Sequence, residues 1–196
     1  MRRVCAIVAL LLVTSCSPTG EAGESTSVES TTTTIMDDTS QPPTTAPVEM
    51  SVISPAFDDQ AAIPVEHTCD GVDVSPEMDV AGLPAETMTL AIIVDDPDAP
   101  LGTWDHWVEF DVTATGGDFV FPRDAGSVGV AGINSWRVTG YMGPCPPPGE
   151  EHTYEFTVYA LDTALALPEG VDSEAVESAM SGHVLGSAVL EGTYSR

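Results

Sequence analysis

Apolar positions in this 196-residue chain fall into three regimes. Residues 6–13 (Ala-Ile-Val-Ala-Leu-Leu-Leu-Val) are apolar without a break. A helix that spans a bilayer needs about 20 apolar residues, so this run is too short to span. From residue 17 to residue 48 large apolar side chains nearly vanish and no period survives. From about residue 49 short apolar and alternating segments recur, separated by Gly and Pro, which is the signature of strands. Segments 50–53, 87–94, 106–112, 153–161 and 184–194 are the predicted strands, and residues 114–131 read as a loop. The 87–94 segment is almost wholly apolar and rich in β-branched residues, as a strand covered on both faces should be. One helix is predicted. Asp172 or Ser173 caps it, Glu174 sits in its first turn, and Ala175, Val176, Ala179 and Met180 form its apolar stripe before Gly182 stops it. Residues 49–196 therefore predict one mainly β domain with few helices, large enough for one core and too small for two.

The first two regimes predict an exported protein. Arg2 and Arg3 precede the apolar run, and Val13-Thr14-Ser15-Cys16 follows it. A positive start, a short apolar run and small residues make a cleaved secretory leader. The aliphatic residue three positions before a cysteine resembles the bacterial lipobox, where the sulfur takes a diacylglycerol and the chain is cut just before it. On this reading residues 1–15 are the leader, Cys16 carries the lipid, and the protein is held by acyl chains at the extracytoplasmic face of the cell membrane. The competing reading is a secreted protein with a stray cysteine. The Ser/Thr/Pro/Glu segment 17–48 cannot bury enough surface to offset the entropy of ordering, so it predicts a disordered tether. A flexible chain of that length reaches about 30 Å.

Charge narrows the partners. The formal net charge is −26, with five arginines, no lysine and 31 acidic residues. Such a chain is repelled by nucleic acid phosphates and by anionic membrane surfaces, so nucleic acid binding is excluded. Cys5 lies in the leader and Cys16 at its end, leaving Cys69 and Cys145 in the domain. In an oxidising compartment that pair is a disulfide candidate, with two buried thiols or a metal pair as alternatives.

Candidate chemistry gathers at strand ends. Asp95-Asp96-Pro97-Asp98-Ala99-Pro100 follows the 87–94 strand, and its prolines stop the strand and stiffen the loop. Trp104-Asp105-His106-Trp107-Val108 opens the next strand. The loop Gly140-Tyr141-Met142-Gly143-Pro144-Cys145-Pro146-Pro147-Pro148-Gly149 leads into His152-Thr153-Tyr154. Imidazole donates a hydrogen bond when neutral and adds charge near pH 6–7. Tyr154 adds a hydroxyl, and backbone amides of a Gly-Pro loop can face an anion. Asp96 either fixes a histidine tautomer or meets an ammonium group. One such histidine alone reads as structural; a second in the same loop context reverses that reading. His183 reads as a cation at a helix end, His67 as a surface residue, and Trp104 and Trp107 as core or pocket wall. A zinc or copper set drawn from His67, Cys69, His106, Cys145 and His152 fits no standard spacing, so no metal and no cofactor is expected. Nucleophile elbows, P-loops and dinucleotide turns are absent from the sequence. Two histidines and an aspartate suit acid–base work on a phosphoester, but no nucleophile accompanies them, and a binding role rather than catalysis is expected.

These motifs together resemble a known family, the phosphatidylethanolamine-binding proteins, and in particular their bacterial Raf kinase inhibitor-like branch. Asp96-Pro97-Asp98-Ala99-Pro100 with His106-Trp107-Val108 resembles the first signature. Gly143-Pro144-Cys145-Pro146-Pro147 with His152 and Tyr154 resembles the second. Cys69-Asp70-Gly71, Ser75-Pro76 and Ala179-Met180-Ser181-Gly182-His183 resemble the bacterial branch. The resemblance covers about residues 50–196. It implies an antiparallel β-sandwich with peripheral helices and a small pocket for phosphate or a phospholipid head group. It places Asp96, Asp98, His106, His152 and Tyr154 at that pocket, with Pro144 on its rim. It also implies protein partners, since relatives inhibit kinases and proteases; an extracytoplasmic kinase or protease is the corresponding expectation here.

Overall fold

A computed structural model describes residues 49–196. The expected leader (residues 1–15), Cys16 and the expected tether (residues 17–48) lie outside the described residues. Nine strands and one helix follow in order: β1 (Ser51–Ile53), β2 (Ala61–Ala62), β3 (Met78–Leu83), β4 (Thr89–Asp96), β5 (Trp104–Thr113), β6 (Gly117–Phe121), β7 (Val130–Ala131), β8 (Glu151–Leu161), α1 (Ser173–Met180) and β9 (Val184–Ser195). They form a three-stranded sheet, β1-β3-β6, and a six-stranded sheet, β2-β9-β8-β4-β5-β7. Pairing is antiparallel except between β2 and β9. The expected mainly β sandwich is the observed architecture.

β4 shows why the sandwich has two cores. Leu90, Ile92 and Val94 point one way and meet Val80, Leu83 and Phe121 of the small sheet, with Trp107, Phe156 and Val158 beside them. Ala91 and Ile93 point the other way and meet Phe110, Leu161 and the α1 residues Val176 and Met180. A strand buried on both faces must be apolar throughout, and β4 is. Each fully buried Leu, Ile or Val contributes roughly 1.5–3 kcal/mol of apolar transfer.

The predicted strands correspond to β1, β4, β5, β8 and β9, and the predicted helix to α1. Asp172 is the cap; its carboxylate accepts from the Ala175 N–H at 3.0 Å. Two expectations are corrected. Residues 114–131 are not one loop, because Gly117–Phe121 forms β6 and pairs with β3. These strands escape notice because β3 carries Asp79 and Gly82, and β6 opens on glycine and aspartate. His67 is not a surface residue: it is 1% exposed, ending a 3-10 turn, and its Nδ1 lies 2.8 Å from the Val74 carbonyl.

Candidate functional site

The site forms where β4, β5 and β8 end side by side. Asp96 closes β4 on the same face as Val94, Ile92 and Leu90. On β8 the buried positions alternate as His152, Tyr154, Phe156, Val158 and Ala160, so both site residues continue a core-facing row. His106 reaches this face through an irregularity. Val94 pairs with Trp107 while Asp95 pairs with Asp105, so His106 is the extra residue of a β-bulge. A bulge re-aims one side chain without disturbing the rest of a ladder. Here it brings His106 beside Asp96 and His152 in one cavity.

That cavity is about 310 Å³. Asp96, His106 and His152 are its polar lining; Ala99, Pro100 and Leu101 form one wall, Cys145, Pro146 and Pro147 another, and Trp104 and Trp136 a third. This volume lies at the small end of ligand pockets and fits a head group rather than a drug-sized molecule. The Trp104 and Trp136 rings meet edge to face at 5.4 Å, and Trp136 meets His106 the same way at 4.7 Å.

The polar groups are ordered by their bonds. Asp96 Oδ2 lies 2.8 Å from His152 Nδ1, and Asp96 Oδ1 accepts from the Asp98 N–H at 2.9 Å. His152 Nε2 lies 3.3 Å from Glu150 Oε2. Burial pulls the His152 pKa down, but the hydrogen bonds to Asp96 and Glu150 outweigh it, and the ring stands above the ordinary histidine value. Both its nitrogens then donate to carboxylates. His106 differs. Its Nδ1 lies 2.6 Å from the Met142 carbonyl, which makes Nδ1 the protonated nitrogen. Burial pushes its pKa below the ordinary value, against the pull of that carbonyl. At neutral pH Nε2 therefore carries a lone pair. Two buried groups nearby have no hydrogen-bond partner, the Trp104 Nε1–H and the Tyr154 hydroxyl. Burial, reinforced by the charge on Asp96, raises the Tyr154 pKa, so its proton stays on.

The Pro-rich wall is held from behind. Met142 N–H donates to the His106 carbonyl at 2.9 Å, and Cys69 N–H donates to the Pro144 carbonyl at 3.1 Å. Gly143 N–H donates to Asp73 at 2.6 Å. Any side chain at Gly143 would strike the His67 carbonyl and the Thr68 backbone. A disulfide joins Cys69 and Cys145, with Cα atoms 5.4 Å apart. That pairing spends two donors of the metal set considered above, and no cluster able to hold a metal occurs among the described residues.

Of the sequence-predicted site residues, Asp96, His106 and His152 share the cavity. Tyr154 lies beneath it, fully buried, its ring edge to face with His106 at 5.1 Å. Pro144 stands behind the wall that its neighbours Cys145, Pro146 and Pro147 line. Asp98 does not line the cavity; its Oδ2 accepts from the Thr153 N–H at 2.8 Å and clips the β4 loop to β8. Trp104 is cavity wall, whereas Trp107 is core. His183 lies beyond α1 and meets Asp162 at 2.8 Å. Trp136 and Glu150 were missed by sequence reasoning. An aromatic residue in the Asn134-Ser135-Trp136 turn, just ahead of the Gly-Pro loop, was the available signal for Trp136. Glu150 carried none.

Comparison with known proteins agrees with this fold. The phosphatidylethanolamine-binding protein family model matches residues 53–195. A UPF0098 protein of Methanothermobacter thermautotrophicus is 47% identical over 152 residues, covering 75% of this chain and 99% of that protein. The UPF0098 protein of Aquifex aeolicus is 40% identical over 75% of this chain and 89% of its own length. The crystal structure of a phosphatidylethanolamine-binding protein homologue from Chlamydia trachomatis superposes with a TM-score of 0.71 at 36% identity, covering 76% of this chain and 99% of that one. Escherichia coli YbcL, described as a member of the mammalian family, superposes at 0.69 with 29% identity over 76% of this chain and 99% of its own. With the matched span, the similar relatives and the sandwich in agreement, the chain belongs to the phosphatidylethanolamine-binding protein family.

Proposed function

We propose that this protein is a lipid-anchored, non-enzymatic binding module whose cavity takes a phosphate group, free or as part of a phospholipid head group. One observation carries the reading. His106 and Trp104 line one small cavity, and His106 Nε2, the Trp104 N–H and, beneath the cavity floor, the Tyr154 hydroxyl have no hydrogen-bond partner in the protein. Buried polar groups without partners are costly, so a site that leaves several in one place is built for a polar ligand. The apolar lip of Pro100, Leu101, Pro146 and Pro147 suits the carbon shoulder of a head group. Membrane proximity comes from acyl chains on Cys16, because the net charge of −26 opposes direct adsorption to anionic lipid. No helix among the described residues is long and apolar enough to cross a membrane.

Binding rather than turnover is the reading because the cavity lining offers no hydroxyl nucleophile and its one cysteine is in the disulfide. Calorimetry with phosphoethanolamine tests it. His106→Ala with His152→Ala should abolish measurable heat; unchanged affinity refutes the site. Phosphoester hydrolysis that disappears with His152→Ala would instead make it an enzyme. A second reading, inhibition of an extracytoplasmic kinase or protease, is favoured by Leu101, which stands 94% exposed at the cavity lip as an apolar knob. Under that reading Leu101→Asp abolishes capture of a specific membrane partner and leaves phosphoethanolamine affinity unaltered.

A further inference from the structure

Three arginines lie among the described residues. Arg123 pairs with Glu66 at 2.8 Å. Arg196 grips Asp70 through two nitrogens, each at 3.0 Å. Among the described residues Arg137 has no ion-pair partner, and its side chain donates no hydrogen bond. In a chain with 31 acidic residues, an unpaired guanidinium calls for an explanation.

The backbone supplies a second observation. Arg137 holds φ at 67°, the left-handed region that costs a side-chain-bearing residue energy. The turn around it is imposed by Asn134, whose Oδ1 accepts from Trp136 N–H at 3.0 Å and Val138 N–H at 3.3 Å. Arg137 N–H closes the turn on the Asn134 carbonyl at 2.9 Å. Strain held in place by a well-bonded turn is found at functional sites.

Position completes the case. Trp136 lines the head-group cavity, and Arg137 lines an adjoining one of about 300 Å³; Leu101 and Trp104 are common to both. The two carboxylates of the adjoining cavity are engaged elsewhere. Asp105 accepts from Ser173 Oγ at 2.7 Å and Asp172 caps α1. The head-group cavity itself has no surplus cation, because His152 lies between Asp96 and Glu150. A phosphate there needs positive charge from its rim.

We propose that Arg137 supplies that charge, its guanidinium crossing Trp136 to meet a phosphate seated at His106 and His152, and so makes the site selective for phosphate-bearing ligands. This inference rests on the head-group reading. The planar guanidinium fork matches phosphate oxygens and stacks on an indole face. Free phosphate and a phosphorylated head group share the chemistry, and the ligands used in the test separate them.

The test is calorimetry on the intact domain with inorganic phosphate, phosphoethanolamine and ethanolamine. Arg137→Gly is the informative variant, because glycine accepts a positive φ without strain and the turn persists. It should weaken both phosphates by about tenfold, the worth of one charge-assisted hydrogen bond, while ethanolamine is unaffected. Arg137→Lys should fall between the two. If the unaltered protein binds phosphoethanolamine far more tightly than inorganic phosphate and Arg137→Gly weakens both, the head group is the ligand and the selectivity stands. Unchanged phosphate affinity overturns the inference and leaves the head-group reading intact. Equal weakening of ethanolamine also overturns it, since packing rather than charge was then lost. If Arg137→Gly weakens phosphate but His106→Ala and His152→Ala do not, phosphate sits outside the cavity, and both the shared site and the head-group reading fall. Absence of binding by the unaltered protein to all three ligands overturns both.

Discussion

Replacing Asp95 with asparagine should stabilise this domain at alkaline pH. Asp95 sits on β4 facing away from the cavity, half-buried among carboxylates. Burial raises its pKa from 3.8 to about 7, and Glu155 on β8, Asp105 on β5, Glu177 on α1 and Asp96 add repulsion. Tyr159, also on this face, is raised by its own burial and by Glu177, Asp95 and Glu155. The sign follows from linkage. Between pH 3.8 and about 7 the folded protein holds a proton that the unfolded chain has released. Stability contributed by the neutral carboxyl is therefore full below pH 3.8 and is lost as pH rises to about 7. At about 1.36 kcal/mol per pKa unit the ceiling is roughly 4 kcal/mol. The group keeps solvent contact and its neighbours are screened, which reduces the expectation to about 1–2 kcal/mol. Asp95→Asn at pH 8 should accordingly raise Tm by roughly 3–6 °C, and at pH 5.5 by about half as much. Scanning calorimetry at both pH values measures this. A variant no more stable at pH 8, or one that gains equally at both, refutes the reasoning.

Other predictions concern the site and its supports. Because His106 Nε2 is a lone pair at neutral pH, phosphate binding should draw in a proton. Affinity should then fall by several-fold from pH 6 to pH 8, with a shallower fall in His106→Gln; calorimetry showing constant or rising affinity refutes this. Glu109 is fully buried and accepts from Trp107 Nε1, Ser127 Oγ and the Val128 and Gly129 N–H groups. Glu109→Ala strands those donors and should cost about 3–5 kcal/mol in urea denaturation. The disulfide spans 76 residues of chain, so the double Cys69→Ala, Cys145→Ala variant should lose roughly 4 kcal/mol on the chain-entropy estimate, read as a lower denaturation midpoint. Cys16→Ser should move the protein from the membrane fraction to the soluble one, with loss of acyl mass by mass spectrometry.

The sequence displayed the site unevenly. Asp96, His106 and His152 were legible because each lies at the end of a strong strand beside prolines, a local pattern that survives folding. The bulge that turns His106 toward Asp96 was not, because a bulge is a property of two strands in register. The burial of His67 was hidden for a similar reason: its cover comes from Tyr141 and Gly143, more than seventy residues away in the chain. The big sheet announced itself through long apolar strands, whereas β3 and β6 are short and polar-flanked and owe their existence to each other. Asp98 shared a motif with Asp96 but not its task, since backbone direction decided which carboxylate met solvent and which met the cavity.

The end of the chain closes the beginning of the domain. Ala61 and Ala62 on β2 pair with Gly192 and Thr193 on β9. Tyr194 and Arg196 both bond Asp70, and Gly149 N–H donates to the Arg196 carbonyl at 2.7 Å. The wall that backs the cavity is thus assembled from segments more than 120 residues apart in the chain. The ligand site therefore depends on contacts from residues 192–196 that none of its own lining residues makes. Removing residues 192–196 should accordingly be felt first at the cavity wall, through Asp70 and the Cys69–Cys145 disulfide, rather than along β9 itself.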